Sequence, residues 1–149
     1  MAGRPDALFT DPRWDTFGLF REAYLALDSR IEGDLARAGA PERAITDLIF
    51  RLARTPGHAL RPGVITRALS TTTTRTTRII DQAEAVGLVE RRADPADRRA
   101  FQVALTDAGL QAARSYGQVA LESAQRHLHD RLTEKQTKTL EDLLRRLRD

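Results

Sequence analysis

The stretch Ser70-Thr71-Thr72-Thr73-Thr74-Arg75-Thr76-Thr77-Arg78 leads into Gly87-Leu88-Val89-Glu90-Arg91-Arg92, then Asp94-Pro95-Ala96-Asp97-Arg98-Arg99, then Val103-Ala104-Leu105-Thr106. In that order the segments predict a helix, a strand, a charged turn and a second strand, the plan of a recognition helix followed by a β-wing. Within the helix, Thr76, Ile79, Ile80, Ala83 and Val86 share one side at about 100° per residue, and Thr74, Thr77, Arg78 and Asp81 lie opposite, with Thr71 and Arg75 on the flank. One side packs and the other is free to meet a partner.

Six threonines between Thr71 and Thr77 are poor helix formers, because β-branching restricts their rotamers. Short hydroxyl side chains approach phosphates and bases closely, and their methyls can touch thymine. A reading surface of Thr71, Thr72, Thr73, Thr74, Arg75, Thr77 and Arg78 gives the run a reason; a threonine-rich cap that stays wet is the competing one. In the wing, Phe101, Val103 and Leu105 are expected inward, with Gln102 and Ala104 outward. Arg98 and Arg99 fall at the turn, suited to the negative potential of a narrow minor groove, with Asp97 bracing one guanidinium.

Charge agrees. From Arg61 to Phe101 eight arginines face five acids, an excess of three that equals the whole net charge, while the remainder is balanced at sixteen of each sign. Neutralising phosphates needs a local cationic surface more than a high total.

The chain of 149 residues, 41% hydrophobic and 30% charged, suits one compact domain or a small module with an oligomerisation arm. It has no apolar run of membrane-spanning length and no apolar signal segment after Met1, so a cytoplasmic protein is expected. With no cysteine, disulfides, thiolate metal sites and cysteine nucleophiles are excluded. His127 and His129, two apart, point to different sides of a helix and make a poor metal pair. No Gly-rich phosphate loop, Gly-x-Ser-x-Gly or isolated carboxylate pair appears. Neither an enzyme nor a cofactor is expected.

Phe17, Phe20, Tyr24, Leu27, Ile31 and Leu35 draw an apolar stripe along a helix from about Pro12 to Ala38, stopped by Gly39. Pro41 sits at the expected first position of a second helix with Ile45, Leu48, Ile49 and Leu52 on its face, and Pro62 opens a short third. Ser70 to Thr72 supply caps for the fourth. After the wing, Thr106 caps a long helix whose seam is Leu110, Ala113, Gly117, Ala120, Ala124 and Leu128. Thr133 with Gln136 makes a capping box before the Leu140, Leu143, Leu144 and Leu147 face. Phe17, Phe20 and Tyr24 with those four leucines are the candidate dimer interface; intramolecular core is the alternative.

The run Arg61-Pro62 to Leu69, Thr77-Arg78-Ile79-Ile80-Asp81 to Gly87-Leu88-Val89, and Asp94-Pro95-Ala96-Asp97-Arg98-Arg99 to Leu105-Thr106-Asp107-Ala108-Gly109 resembles the MarR family of bacterial transcription regulators. The resemblance implies a mostly α (α+β) winged helix-turn-helix fold: a dimerisation helix at residues 1–40, a DNA-binding lobe at 41–106 and dimerisation helices at 107–149. It implies a homodimeric repressor on a palindromic operator. It also implies a ligand cleft, for which the residues at hand are Trp14, Phe17, Arg21, Tyr24, Phe50 and His58, suited to a small aromatic or anionic effector. Plain interface core explains the same aromatics. An effector-independent or architectural regulator, or a helical adaptor whose basic surface meets an acidic protein, are the competing functions. Two departures stand out: Ala83 replaces a larger apolar residue, and the Thr71 to Thr74 run replaces a more mixed helix start.

Overall fold

The computed structural model describes residues 6–148, apart from the side chain of Arg98. Six α-helices and three strands follow in the order α1 (Arg13–Arg37), α2 (Arg43–Ala53), β1 (Ala59–Leu60), α3 (Pro62–Ala68), α4 (Thr73–Ala85), β2 (Val89–Asp94), β3 (Asp97–Leu105), α5 (Asp107–His127) and α6 (Glu134–Arg148). The chain divides into two compact units, one of residues up to Asp34 together with those from Glu122, the other spanning Leu35–Leu121. Among the described residues no helix is long and apolar enough to cross a membrane.

The Leu35–Leu121 unit holds the core. Leu48, Ile49 and Leu52 from α2 pack with Ile65 of α3, Ile79, Ile80 and Ala83 of α4, Val89 of β2, Val103 and Leu105 of β3 and Ala113 of α5. Full burial of an aliphatic side chain of this size contributes about 1.5–3 kcal/mol relative to exposure, so this cluster fixes which face of each element turns inward. The sheet is antiparallel in the order β1-β3-β2, with Leu60 opposite Val103 and Arg91 opposite Val103 from the other side.

Local chemistry sets the helix ends. Pro62 begins α3 and Thr72 caps α4, its hydroxyl accepting the Arg75 N–H at 3.3 Å. Ser70, at φ +49°, reverses the chain between them. The Thr66 and Thr76 hydroxyls hydrogen-bond at 2.8 Å across the two helices, with Thr66 also donating to the Pro62 carbonyl. Gly87 stops α4 at φ +74°, a conformation that favours glycine.

Some expectations are corrected. Pro41 is not the first residue of α2, which starts at Arg43 after Glu42. Val86, placed on the packed side of α4, is 61% exposed, because the helix has ended before it. Val103 and Leu105 are buried as expected, but Phe101 is exposed and Ala104 fully buried: Phe101 pairs only with Ala93 past the end of β1, and Ala104 sits between Ala59 and Glu90. The two-residue strand β1 carried too little pattern to be read.

In the other unit, α1 and α6 have no buried residue. Asp34 receives the Arg126 guanidinium at 2.8 Å, with His127 Nε2 at 3.9 Å. Thr133 and Gln136 form the expected reciprocal cap, the Thr133 N–H reaching Gln136 Oε1 at 2.9 Å and the Gln136 N–H reaching Thr133 Oγ1 at 3.3 Å.

The wing joins α5 at a crowded point. The Thr106 hydroxyl donates to the Gly87 carbonyl at 2.6 Å and accepts the Gly109 N–H at 2.9 Å, while the Thr106 N–H reaches the Leu88 carbonyl. A Cβ on Gly109 would lie 1.9 Å from the Leu88 carbonyl oxygen, so only glycine fits. Gly109→Ala is expected to destabilise the protein by about 1–3 kcal/mol or more, as overpacking against backbone does. Urea unfolding of the two proteins checks this; unchanged stability would mean the junction relaxes freely.

Candidate nucleic-acid interface

The packing of α4 decides what it presents. Thr76, Ile79, Ile80 and Ala83 are buried, and Thr73, Thr74, Arg75, Thr77, Arg78 and Asp81 are exposed. Of the expected reading residues, Thr73, Thr74, Arg75, Thr77 and Arg78 therefore lie on the helix. Thr72 is its cap, and Thr71 is half-buried in the preceding turn, its N–H bound to the Thr66 carbonyl. The poor helix propensity of the run is offset locally: Thr72 caps, Thr76 is buried in the hydroxyl pair, and Thr77 donates to the Thr73 carbonyl at 3.1 Å. Beside this helix a groove of about 500 Å³ is lined by Glu42 and Ala44 at the start of α2 and by Thr72, Thr74, Arg75, Arg78, Ile79 and Gln82.

The hairpin of β2 and β3 is held by ion pairs that sequence reasoning missed. Asp94, its side chain almost fully buried at the hairpin's end, accepts Arg61 Nε at 2.5 Å, the Ala96 N–H at 2.8 Å and Gln102 Nε2 at 3.4 Å. The Arg61 hydrogen bond, then the Ala96 N–H, lower its pKa to about 2, against the opposing effect of burial. Arg61 and Asp94 are 33 residues apart, which is why no local pattern revealed them. Asp97, expected to brace a wing guanidinium, accepts the Arg99 backbone N–H at 3.0 Å and so shapes the turn; among the described side chains, Asp94 holds the guanidinium of Arg61 there. Arg99 is exposed, and the Arg98 side chain lies outside the described residues.

Arg91 ties α4 to the hairpin. Its Nη2 lies 2.5 Å from Asp81 Oδ1, its Nη1 bonds Glu84 Oε2, and its backbone N–H reaches Glu84 Oε1 at 3.2 Å. Its guanidinium carbon stands 5.5 Å from the centre of the Phe101 ring, a cation–π distance. This explains an exposed phenylalanine on β3.

The remaining expected residues fall on both units. Trp14, Phe17, Arg21 and Tyr24 lie on α1, where Phe9, Trp14 and Phe17 form a chain of rings with centroids 5.5 and 5.7 Å apart. A cleft of about 310 Å³ is lined by Leu8, Asp11, Arg13, Trp14 and Phe17. Phe50 packs on the core of the other unit, and His58, at φ +52°, has a buried Nδ1 without a hydrogen-bond partner among the described residues. Phe17, Phe20, Tyr24, Leu143, Leu144 and Leu147 are exposed and Leu140 is half-buried.

A model of the MarR family matches residues 45–100, from α2 through the hairpin. Over those residues the chain is similar to the MarR family. Over 93% of its length it is 27% identical to Sco3205, a MarR family transcriptional regulator from Streptomyces coelicolor solved in complex with DNA, covering 90% of that chain with a TM-score of 0.80. AbsC, a MarR family transcriptional regulator from the same organism, shares the fold at TM-score 0.81 and 24% identity, over 93% of both chains. So does BpsR of Bordetella bronchiseptica, whose DNA binding is regulated by 6-hydroxynicotinic acid, at TM-score 0.75 and 20% identity over 98% of this chain and 99% of that one. No curated protein sequence matches the chain.

The Asp94 site makes a pH test. Its folded-state pKa is depressed, so its stabilising effect is present above the ordinary carboxylate value of 3.8 and is lost as pH falls through about 2. Asp94→Asn is expected to lower the melting temperature at neutral pH, with the gap from wild type narrowing from about pH 4 to about pH 2. Melting curves over that range check it; a gap independent of pH would remove the ion pair as its cause.

Proposed function

We propose that the protein is a homodimeric repressor that binds a two-fold symmetric DNA operator and leaves it when a small aromatic or anionic effector binds. The observation that carries the DNA reading is the outer face of α4, where Thr73, Thr74, Arg75, Thr77 and Arg78 stand exposed on a helix whose opposite face is locked in the core. Such a helix fits a major groove, with Arg78 able to bond guanine bidentately and threonines meeting phosphates or thymine methyls. The hairpin carrying Arg98 and Arg99 then reaches the neighbouring minor groove. Residues 41–106 form the reading lobe in this proposal, and its place of action is the cytoplasm. The DNA complex of Sco3205 supports the reading.

The flanking segments, 1–40 and 107–149, supply the dimer. Two helices without a buried residue, one bearing Phe17, Phe20 and Tyr24 and the other Leu143, Leu144 and Leu147, leave these large apolar side chains uncovered. A two-fold axis covers these faces with their own copies and sets two reading helices on successive half-sites. Trp14, Phe17, Arg21 and Tyr24 on α1 are the proposed effector contacts: aromatic walls stack a planar ring, and a guanidinium holds its carboxylate or phenolate. The ligand-regulated DNA binding of BpsR supports an effector of that kind. A ligand favouring a lobe spacing that DNA rejects is, by linkage, expelled when operator binds.

Selection from a random duplex pool is the deciding experiment. Two inverted half-sites about one helical turn apart should be enriched, and repeating the capture with planar aromatic carboxylates should reduce it. No enrichment at all would overturn the DNA reading; ligand-indifferent capture would remove only the effector. On the selected duplex, Arg78→Ala should weaken binding by about 1–3 kcal/mol if a base edge is lost, with a smaller loss on a scrambled duplex. Equal affinity on both would take Arg78 out of the interface. Sedimentation equilibrium should give a dimer at micromolar concentration, and Leu143→Glu with Leu147→Glu should shift it toward monomer. A monomeric wild type would end the dimer proposal.

A further inference from the structure

Resting on the DNA-binding reading above, we infer that Arg91 masks two carboxylates on the reading helix, so that α4 meets DNA without presenting uncompensated like charge. Asp81 follows Arg78 by three residues and Glu84 follows Asp81 by three, so the acids continue the row that Arg78 begins. Asp81 is as exposed as the reading residues, 58% at its side chain. An uncompensated carboxylate there would face a polyanion across a few ångströms, within the screening length of physiological salt.

The structure answers this with one cation. Arg91 comes from β2, engages both acids through separate nitrogens, adds its backbone N–H to Glu84, and rests its guanidinium over the Phe101 ring of β3. Three groups on two elements, α4 and β3, thus meet at one side chain from a third. Its donors are turned toward protein carboxylates, so its contribution to affinity is to cancel repulsion. Exposed ion pairs add little to folding stability, so the fold is expected to survive its loss.

The test compares four proteins on the selected duplex and on a scrambled one: wild type, Arg91→Gln, Asp81→Asn with Glu84→Gln, and the triple variant. Arg91→Gln should bind about tenfold more weakly at low salt, by unmasking like charge. The triple variant, which removes acids and cation together, should return to within about threefold of wild type, and the double variant should bind as tightly as wild type or tighter. A triple variant as weak as Arg91→Gln would overturn the inference and make Arg91 a direct phosphate contact; an unaffected Arg91→Gln would overturn it as well. Should Arg91→Gln unfold by circular dichroism, the double variant decides alone, weaker binding overturning the inference. Wild-type protein indifferent to every duplex would instead overturn the DNA-binding reading itself.

Discussion

Burial of Ile79, Ile80 and Ala83 against Leu48, Ile49 and Leu52 is the contact on which the rest of the structure depends. An isolated helix of 13 residues that begins with a threonine run would be marginal in water. Tertiary packing of one face supplies what propensity withholds, and by doing so it fixes which threonines and arginines face outward. The hydroxyl pair of Thr66 and Thr76 uses one member of that costly run to fasten α3 to α4. The same small set of contacts therefore gives the helix both its stability and its presentation.

The hairpin has only a short buried stretch of its own, and polar contacts hold it, the Arg61–Asp94 pair across 33 residues among them. Asp94 gathers Arg61, Ala96 and Gln102 at the hairpin's end, and Arg91 gathers Asp81, Glu84 and Phe101 near its base. Of the eight arginines between Arg61 and Phe101, Arg75 and Arg78 stand on α4, Arg98 and Arg99 at the hairpin turn and Arg67 on α3, whereas Arg61, Arg91 and Arg92 are paired with carboxylates of the same unit. The local excess of positive charge consequently understates how selectively it is presented: acids are matched with structural arginines, and the exposed Arg75, Arg78 and Arg99 are set apart from them.

The unit made of the chain's two ends has the opposite character. Its aromatic and leucine side chains are exposed on α1 and α6, and its polar ties, such as Asp34 with Arg126, hold helix ends rather than cover those faces. In the proposed dimer these faces are where a ligand's binding and the spacing of two reading helices become one equilibrium.

Much of this was legible in the chain because helical periodicity, capping residues and turn chemistry are local. Pro62, Thr72, Gly87, Thr106 and the Thr133 with Gln136 pair sit where elements start and stop. The exposed face of α4 followed from 3.6-residue spacing alone. What the sequence could not reveal depends on distance in space. Phe101 stays exposed because it pairs only with Ala93, past the end of β1, and Ala104 is buried where β1 and β2 flank β3 on both edges. Asp94 found Arg61, and Arg91 found Asp81 and Glu84, only once the hairpin folded back on the helices. Gly109 looked like part of a motif, and its cause is steric: α5 starts against the Leu88 carbonyl, leaving no room for a Cβ. The sequence by itself determined the elements and the face that α4 shows, since those follow from neighbours along the chain; tertiary structure alone decided which charges are spent on the fold and which remain exposed, because pairing requires groups that the chain holds far apart.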